Sequence, residues 1–206
     1  MPPNALEPLV RDVTAESVVD SNAIARAAAM INKAKKPIFI VGQGCANDGA
    51  WQAVRRIAEK LNIPVTTTVH GMGIFDEMHP LSLHMLGMHG SAYANYAVQE
   101  ADVIVSIGSR FDDRTTGVTS KYAPAAREAE AKGQGGIIHF DIRRDIFGKI
   151  VQPTCAVCGD CGASLSALEP HLTKPNMAER NAWVGHVQSL KAQHPFDFFP
   201  APDGKI

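Results

Sequence analysis

Lys36-Pro37-Ile38-Phe39-Ile40-Val41-Gly42-Gln43-Gly44-Cys45, written KPIFIVGQGC, is the stretch whose reading decides the fold. The run from Pro37 to Val41 is apolar without alternation, rich in branched side chains, and closed by a glycine turn. Such a run predicts a strand buried on both faces, as in a parallel sheet covered by helices. Its flanks agree. Upstream, Ile24, Ala27, Ala28, Ile31 and Ala34 recur at helical spacing behind the possible caps Asp20 and Ser21, and the helix closes at Lys36-Pro37. Downstream, Asn47 or Asp48 can cap a second helix with the apolar stripe Ala50, Val54, Ile57, Ala58 and Leu61.

The alternation continues along the chain. IPVTTTV (63–69) reads as a strand, 70–90 as a long loop, AYANYAVQEA (92–101) as a helix, and DVIVSIG (102–108) and GIIHFDI (136–142) as strands. TCAVCGD (154–160) and SLSALEPHL (164–172) complete the pattern as a strand and a helix. Strands alternating with helices predict a single α/β domain built on a doubly wound, Rossmann-like parallel sheet with helices on both faces. Residues 1–19, Pro-rich and aperiodic, read as an incoming linker, and 20–173 as the domain proper. The stretch 174–206 reads as an outgoing helix bearing Trp183, Val187 and Leu190, followed by the tail HPFDFFPAPDGKI.

Composition excludes several function classes. Across 206 residues, 20 Lys and Arg face 21 Asp and Glu, a net charge of -1, so no basic excess draws the chain to nucleic acid or an anionic membrane. No apolar run approaches the roughly 20 residues that span a bilayer. The beginning of the chain carries neither a secretory nor an Arg-rich targeting pattern. Cys155, Cys158 and Cys161 spell CxxCxxC, a possible metal motif. On a strand, however, residues three apart face opposite ways, so reduced, buried cysteines are expected, as in an intracellular protein. No metal ligand set is expected.

In doubly wound sheets, ligands sit beyond the carboxyl ends of the strands. The residues there form a consistent group: Gly42-Gln43-Gly44, Thr67-Thr68, Gly108-Ser109-Arg110-Phe111-Asp112, Asp141-Ile142 and Gly159-Asp160. Small residues allow close backbone approach, an arginine can pair with phosphate, and acids can accept from ribose hydroxyls. Each also has a plainer reading. GxG without the rest of GxGxxG is equally a tight turn, Arg110 can pair with Asp112 or Asp113, and Gly159-Asp160 can be an ordinary turn. The loop Leu86-Gly87-Met88-His89-Gly90 precedes a helix, so its amides can face a polar ligand. His89 has no partnering acid and nucleophile, and no triad, paired carboxylates or HExxH is present.

These strings bear a resemblance. KPIFIVGQGC, IPVTTTVHGMG, SLHMLGMHGSAYANYAVQEADVIVSIGSRFDDRTTG, and IIHFDI followed by VCGD closely resemble the middle domain of acetohydroxyacid synthase (acetolactate synthase) catalytic subunits over residues 20 to 173. The specific motifs are HMLGMHG and GSRFDDR. The added stretch AAREAEAKGQGG resembles the fungal form, whose setting is the mitochondrion.

The resemblance implies a thiamine-diphosphate enzyme that decarboxylates pyruvate and joins the two-carbon unit to a second pyruvate or to 2-oxobutyrate, opening branched-chain amino-acid synthesis. It implies FAD in this domain, without net redox change, contacted by Gly42, Gln43, Gly44, Thr68, Val69, Leu86, Gly87, Met88, His89, Gly108, Ser109, Arg110, Phe111, Asp112, Asp141, Ile142, Gly159 and Asp160. Asp113 and Arg114 match positions lining the substrate channel where sulfonylureas and imidazolinones bind. Gln43 departs from the small residue usual there.

The glutamate that activates thiamine diphosphate and the GDG-to-Asn motif for Mg2+ have no counterpart here. Gly159-Asp160-Cys161 opens like the latter and departs at its third position. The expectation is therefore a domain with no catalytic residue of its own and inactive alone. Its partners would be the other domains of the same subunit, further catalytic subunits in a homo-oligomer, and a regulatory subunit. Two alternatives stand beside it: a free-standing nucleotide-binding regulatory module, and the middle domain of another thiamine enzyme such as glyoxylate carboligase or a decarboxylase. The RFDDR run beside MLGMHG weighs against the latter.

Overall fold

The computed structural model describes residues 19–47 and 49–196. Most of the expected incoming linker, the possible cap Asp48 and most of the tail after His194 lie outside the described residues. Helix α1 (Ser21–Lys33) begins where the Asp20 carboxylate accepts the amides of Asn22 and Ala23, and it buries Ile24, Ala27, Ala28 and Ile31. Strand β1 (Pro37–Val41) is buried along its whole length.

There follow α2 (Ala50–Leu61), β2 (Val65–Thr67), β3 (Ser82–Met85), α3 (Ala92–Glu100) and β4 (Val103–Ile107). The chain continues through α4 (Asp113–Thr116), α5 (Pro124–Ala131), β5 (Gly136–Asp141), β6 (Cys155–Cys158), α6 (Cys161–Leu168) and α7 (Met177–Gln193).

All six strands are parallel, in the order β3-β2-β1-β4-β5-β6. The chain builds outward from β1 to β3, then returns to lay β4 against the other side of β1. That reversal opens a crevice between the carboxyl ends of β1 and β4. Alternate side chains of the central strands serve two cores. Phe39, Val41, Val103 and Val105 pack with α1, α2 and α6, while Ile38, Ile40 and Ile104 pack with Tyr93, Ala97, Ala126, Trp183 and Val187 of α3, α5 and α7. The doubly wound expectation is met in full.

Three local expectations need correction, and one helix stands where none was predicted. The loop 70–90 contains β3, a short edge strand whose Ser82 and His84 disguise it. IPVTTTV is a strand only over Val65–Thr67. The stretch between β4 and β5 holds α5, started by Pro124 in its first turn, because a parallel pair needs a crossover. Helix α2 is preceded by Gly49 in the left-handed region with no side-chain cap, so Asn47 contributes its carbonyl to the Ala50 amide at 3.1 Å instead.

Helix α7 packs onto the second face. Its Trp183 indole donates to the Pro37 carbonyl at 2.9 Å and its buried Arg180 to the Ile31 carbonyl at 3.0 Å. Cys45, Cys155 and Cys161 are buried free thiols, and Cys158 is half-buried. Among the described residues no group of three or more His, Cys, Asp or Glu is placed to hold a metal, and no helix is long and apolar enough to cross a membrane.

Candidate functional site

A cleft of about 500 Å³ opens over the crevice between β1 and β4. Its wall brings together Gln43, Gly44, Thr68, Val69, Gly108, Ser109, Arg110, Asp112 and Asp141, from the ends of four different strands. Asn47, His70 and Arg143 join them, and sequence reasoning missed all three. The available signal was position, since each lies within a few residues of a strand end.

The turns of β1 and β4 interlock backbone to backbone. A side chain on Gly44 would put its Cβ 2.7 Å from the Gly108 Cα, and one on Gly42 would meet the Gly108 carbonyl oxygen at 2.2 Å. Only glycines let these two strand ends meet, with Gly108 itself at φ 61°. Gly42 therefore supports the cleft from beneath.

The turn Gly108-Ser109-Arg110-Phe111 is held from below by β5. His139 Nε2 lies 2.6 Å from the Ser109 carbonyl and donates to it. Burial drives the His139 pKa down to about 4, against the opposing pull of that hydrogen bond, so the ring is neutral. Phe111, at φ 53°, turns its ring away from the cleft and packs edge-on to Tyr122 and His139. Its side chain is an anchor in the second core, and it lines neither cavity. The result is that Arg110 projects outward, its side chain 65% exposed and only loosely paired with Asp112 at 3.9 Å. Asp112 is itself engaged as the cap of α4, accepting from the Thr115 amide and hydroxyl at 3.1 and 3.0 Å.

Asp141 closes the opposite wall. It is buried, and that burial raises its pKa above the usual carboxylate value, while the Arg143 amide donating at 2.9 Å pulls the other way. Behind the β1 turn, the buried Cys45 thiol donates to the Ile107 carbonyl at 3.4 Å, and the neighbouring Cys161 thiol together with burial raises its pKa and holds it protonated, so no thiolate faces the site.

Leu86, Gly87 and Met88 line a second cavity of about 330 Å³, together with Arg114, Thr115 and Tyr122. Gly87, at φ 96°, lies so close to the Arg114 carbonyl that a Cβ would come within 2.4 Å of it, and the Met88 amide donates to that same oxygen at 2.8 Å. Helix α4 links the cavities, its cap lining the first and its body the second. The remaining expected residues stand outside both. His89 and Asp113 are exposed, Ile142 faces solvent, and Asp160 accepts from the Ala163 amide at 2.8 Å as the cap of α6, next to Gly159.

This donor set fits a nucleotide cofactor. An exposed, loosely paired guanidinium suits a diphosphate, a buried carboxylate suits ribose hydroxyls, and the Ser109 hydroxyl is a buried polar group in the cleft wall with no protein partner. Sheet order and cleft together define an open, doubly wound α/β domain with its cleft at the topological switch point. Residues 24–168, from α1 through α6, match the family described as "Thiamine pyrophosphate enzyme, central domain". The chain belongs to that family, so thiamine diphosphate is the cofactor that membership implies for the whole enzyme.

Among curated relatives, the mitochondrial acetolactate synthase catalytic subunit of Aspergillus candidus is 42% identical over 202 residues, covering 95% of this chain and 29% of the relative. The mitochondrial acetolactate synthase of Schizosaccharomyces pombe is 47% identical over 184 residues, covering 89% and 28%. The catalytic subunit of Saccharomyces cerevisiae is 43% identical over 209 residues, covering 100% and 30%. The chain thus spans about three-tenths of the length of these relatives.

Proposed function

We propose that this chain is the FAD-holding central domain of a mitochondrial acetolactate synthase catalytic subunit. The observation that carries the reading is the 42% to 47% identity to three fungal enzymes of that name over nearly the whole chain. The parent enzyme would condense two pyruvates to 2-acetolactate, or pyruvate with 2-oxobutyrate. Thiamine diphosphate, with Mg2+, supplies the decarboxylation chemistry when bound, through ligands in other domains of the subunit.

This chain's residues bind and shape. Arg110 meets the flavin cofactor's diphosphate, Asp141 accepts from its ribose, and the turns at Gly42–Gly44 and Thr68–Val69 give it close backbone passage. The loop Leu86–His89 and the stretch Ser109–Asp112 border it, with Ile142, Gly159 and Asp160 at its margin. Asp113 and Arg114, exposed beside the second cavity, form one wall of the substrate channel. The relatives' description as catalytic subunits supports assembly with a regulatory subunit, and the proposal adds further copies of the same subunit in a homo-oligomer.

The full-length enzyme, supplied with thiamine diphosphate, Mg2+ and FAD, is expected to form acetolactate from pyruvate, and the 206-residue chain alone to form none. A full-length protein without that activity, or turnover by the chain alone, refutes the proposal. Arg110→Ala is expected to weaken FAD binding by about 1.5–3 kcal/mol, read by flavin fluorescence titration; unchanged affinity removes the phosphate role.

A further inference from the structure

The edge of the sheet carries a device that the cleft does not account for. Strand β3 pairs with β2 at Val65↔Ser82 and again at Thr67↔Met85, so two steps along β2 oppose three along β3. The extra residue makes a β-bulge, and His84 within it has φ 57°. An L side chain rarely adopts that backbone, so the surroundings must impose it.

The restraints come from three elements. The Thr66 hydroxyl of β2 donates to the His84 carbonyl at 2.8 Å, and the His84 amide donates to the Ser82 hydroxyl at 3.2 Å. From α3, the Tyr93 hydroxyl lies 2.5 Å from His84 Nδ1, the two rings meeting edge-on at 6.0 Å. Glu77 stands 4.0 Å from Nε2, which favours the tautomer with its proton there and leaves Nδ1 to accept from Tyr93. Tyr93 is itself fixed: it is buried, with the Lys191 ammonium 5.6 Å from its ring centre.

What the bulge delivers is the next four residues. The Leu86 amide donates to the Thr67 carbonyl at 3.1 Å, while the Asn95 side chain accepts from the Gly87 amide at 2.8 Å and donates to the Gly87 carbonyl at 3.0 Å. The Ser91 amide donates to the Met85 carbonyl at 2.9 Å. Every one of these bonds presumes that β3 ends with one residue more than β2. Removing the bulge would shift the strand by one residue and turn each following side chain to the opposite face.

We propose that His84 and Tyr93 are positioning residues of the cofactor loop: their hydrogen bond locks the β3 bulge and so sets where Leu86–His89 meets the flavin. This rests on the reading of that loop as a flavin contact. Neither residue lines either cavity, so both act through the loop.

The test uses the full-length protein with Tyr93→Phe, which deletes one hydroxyl, and His84→Asn, whose side chain tolerates a positive φ but is too short to reach Tyr93. Both are expected to raise the FAD dissociation constant roughly five- to ten-fold and to speed amide exchange at 86–90, with exchange in β1 and β4 unchanged. Wild-type affinity in both variants, or a lowered melting temperature without loss of affinity, overturns the proposal by making the pair merely structural. A wild-type protein that binds no FAD sinks the reading of the site, and with it the cofactor part of the proposal. Amide exchange then decides the lock alone, and unchanged exchange at 86–90 overturns that as well.

Discussion

Lowering the pH should loosen the domain at one named residue, His139. Its imidazole is 1% exposed, and the pKa falls to about 4 because burial disfavours the charged ring, the Ser109 carbonyl opposing only in part. In the unfolded chain the ring returns to its ordinary 6.5. Between those two values the unfolded state binds the additional proton, so stability declines as pH falls through 6.5 and the loss is complete below about 4. At about 1.4 kcal/mol per pH unit the full loss is about 3 kcal/mol, of which about 2 kcal/mol has gone at pH 5.

Asp141 works in the opposite direction, since its raised pKa lets the folded state hold a proton more readily as the solution becomes acidic. The comparison must therefore be differential. His139→Gln carries no charge at any pH and keeps an N–H donor for the Ser109 carbonyl, while every other titrating group is shared. Urea unfolding at pH 7.5 and pH 5.0 should show the wild type losing about 2 kcal/mol more than the variant. Equal losses would refute the assignment of this proton to His139.

Two further outcomes follow from the strand ends. Gly44→Ala places a methyl 2.7 Å from the Gly108 Cα, backbone that cannot step aside, and should cost about 1–3 kcal/mol together with a weakened flavin site, read from the melting temperature and FAD titration. Asp160→Ala removes the cap of α6 and should cost about 1 kcal/mol while disturbing FAD affinity less than Arg110→Ala does; the reverse order would move Asp160 from the margin of the cofactor to its main contact.

The core of the fold was legible because its signals are local. PIFIV and VIVSI can be satisfied only by burial on both faces, and Asp20 ahead of Ile24 announces α1 within a few residues. Strand β3 escaped notice because an edge strand needs no continuous apolar run, and SLHM carries a polar Ser82 and a bulged His84. Helix α5, rich in Ala and Glu, was passed over because only the parallel pairing of β4 and β5 demands a crossover there.

The candidate site divides in the same way. Strand-end position alone pointed to Gly44, Thr68, Ser109, Arg110 and Asp141, and the cleft gathers them. Position could not tell which side chains turn outward. Phe111 and Asp160 occupy equally promising places, yet one fills the second core and the other caps a helix, because a ring and a carboxylate take whichever burial or amide partner the neighbouring element offers.

By itself, then, the order of residues determined that strands alternate with helices, that the sheet is parallel, and which ends of it border the cleft, since each follows from short-range patterns of burial and turn. Only the tertiary structure decided that β4 returns beside β1 to open the crevice, that Gly44 and Gly108 interlock, that His139 holds the Arg110 turn from below, and that Tyr93 locks His84. Those contacts join residues brought together by the winding of the chain, and no local pattern encodes a distance between them.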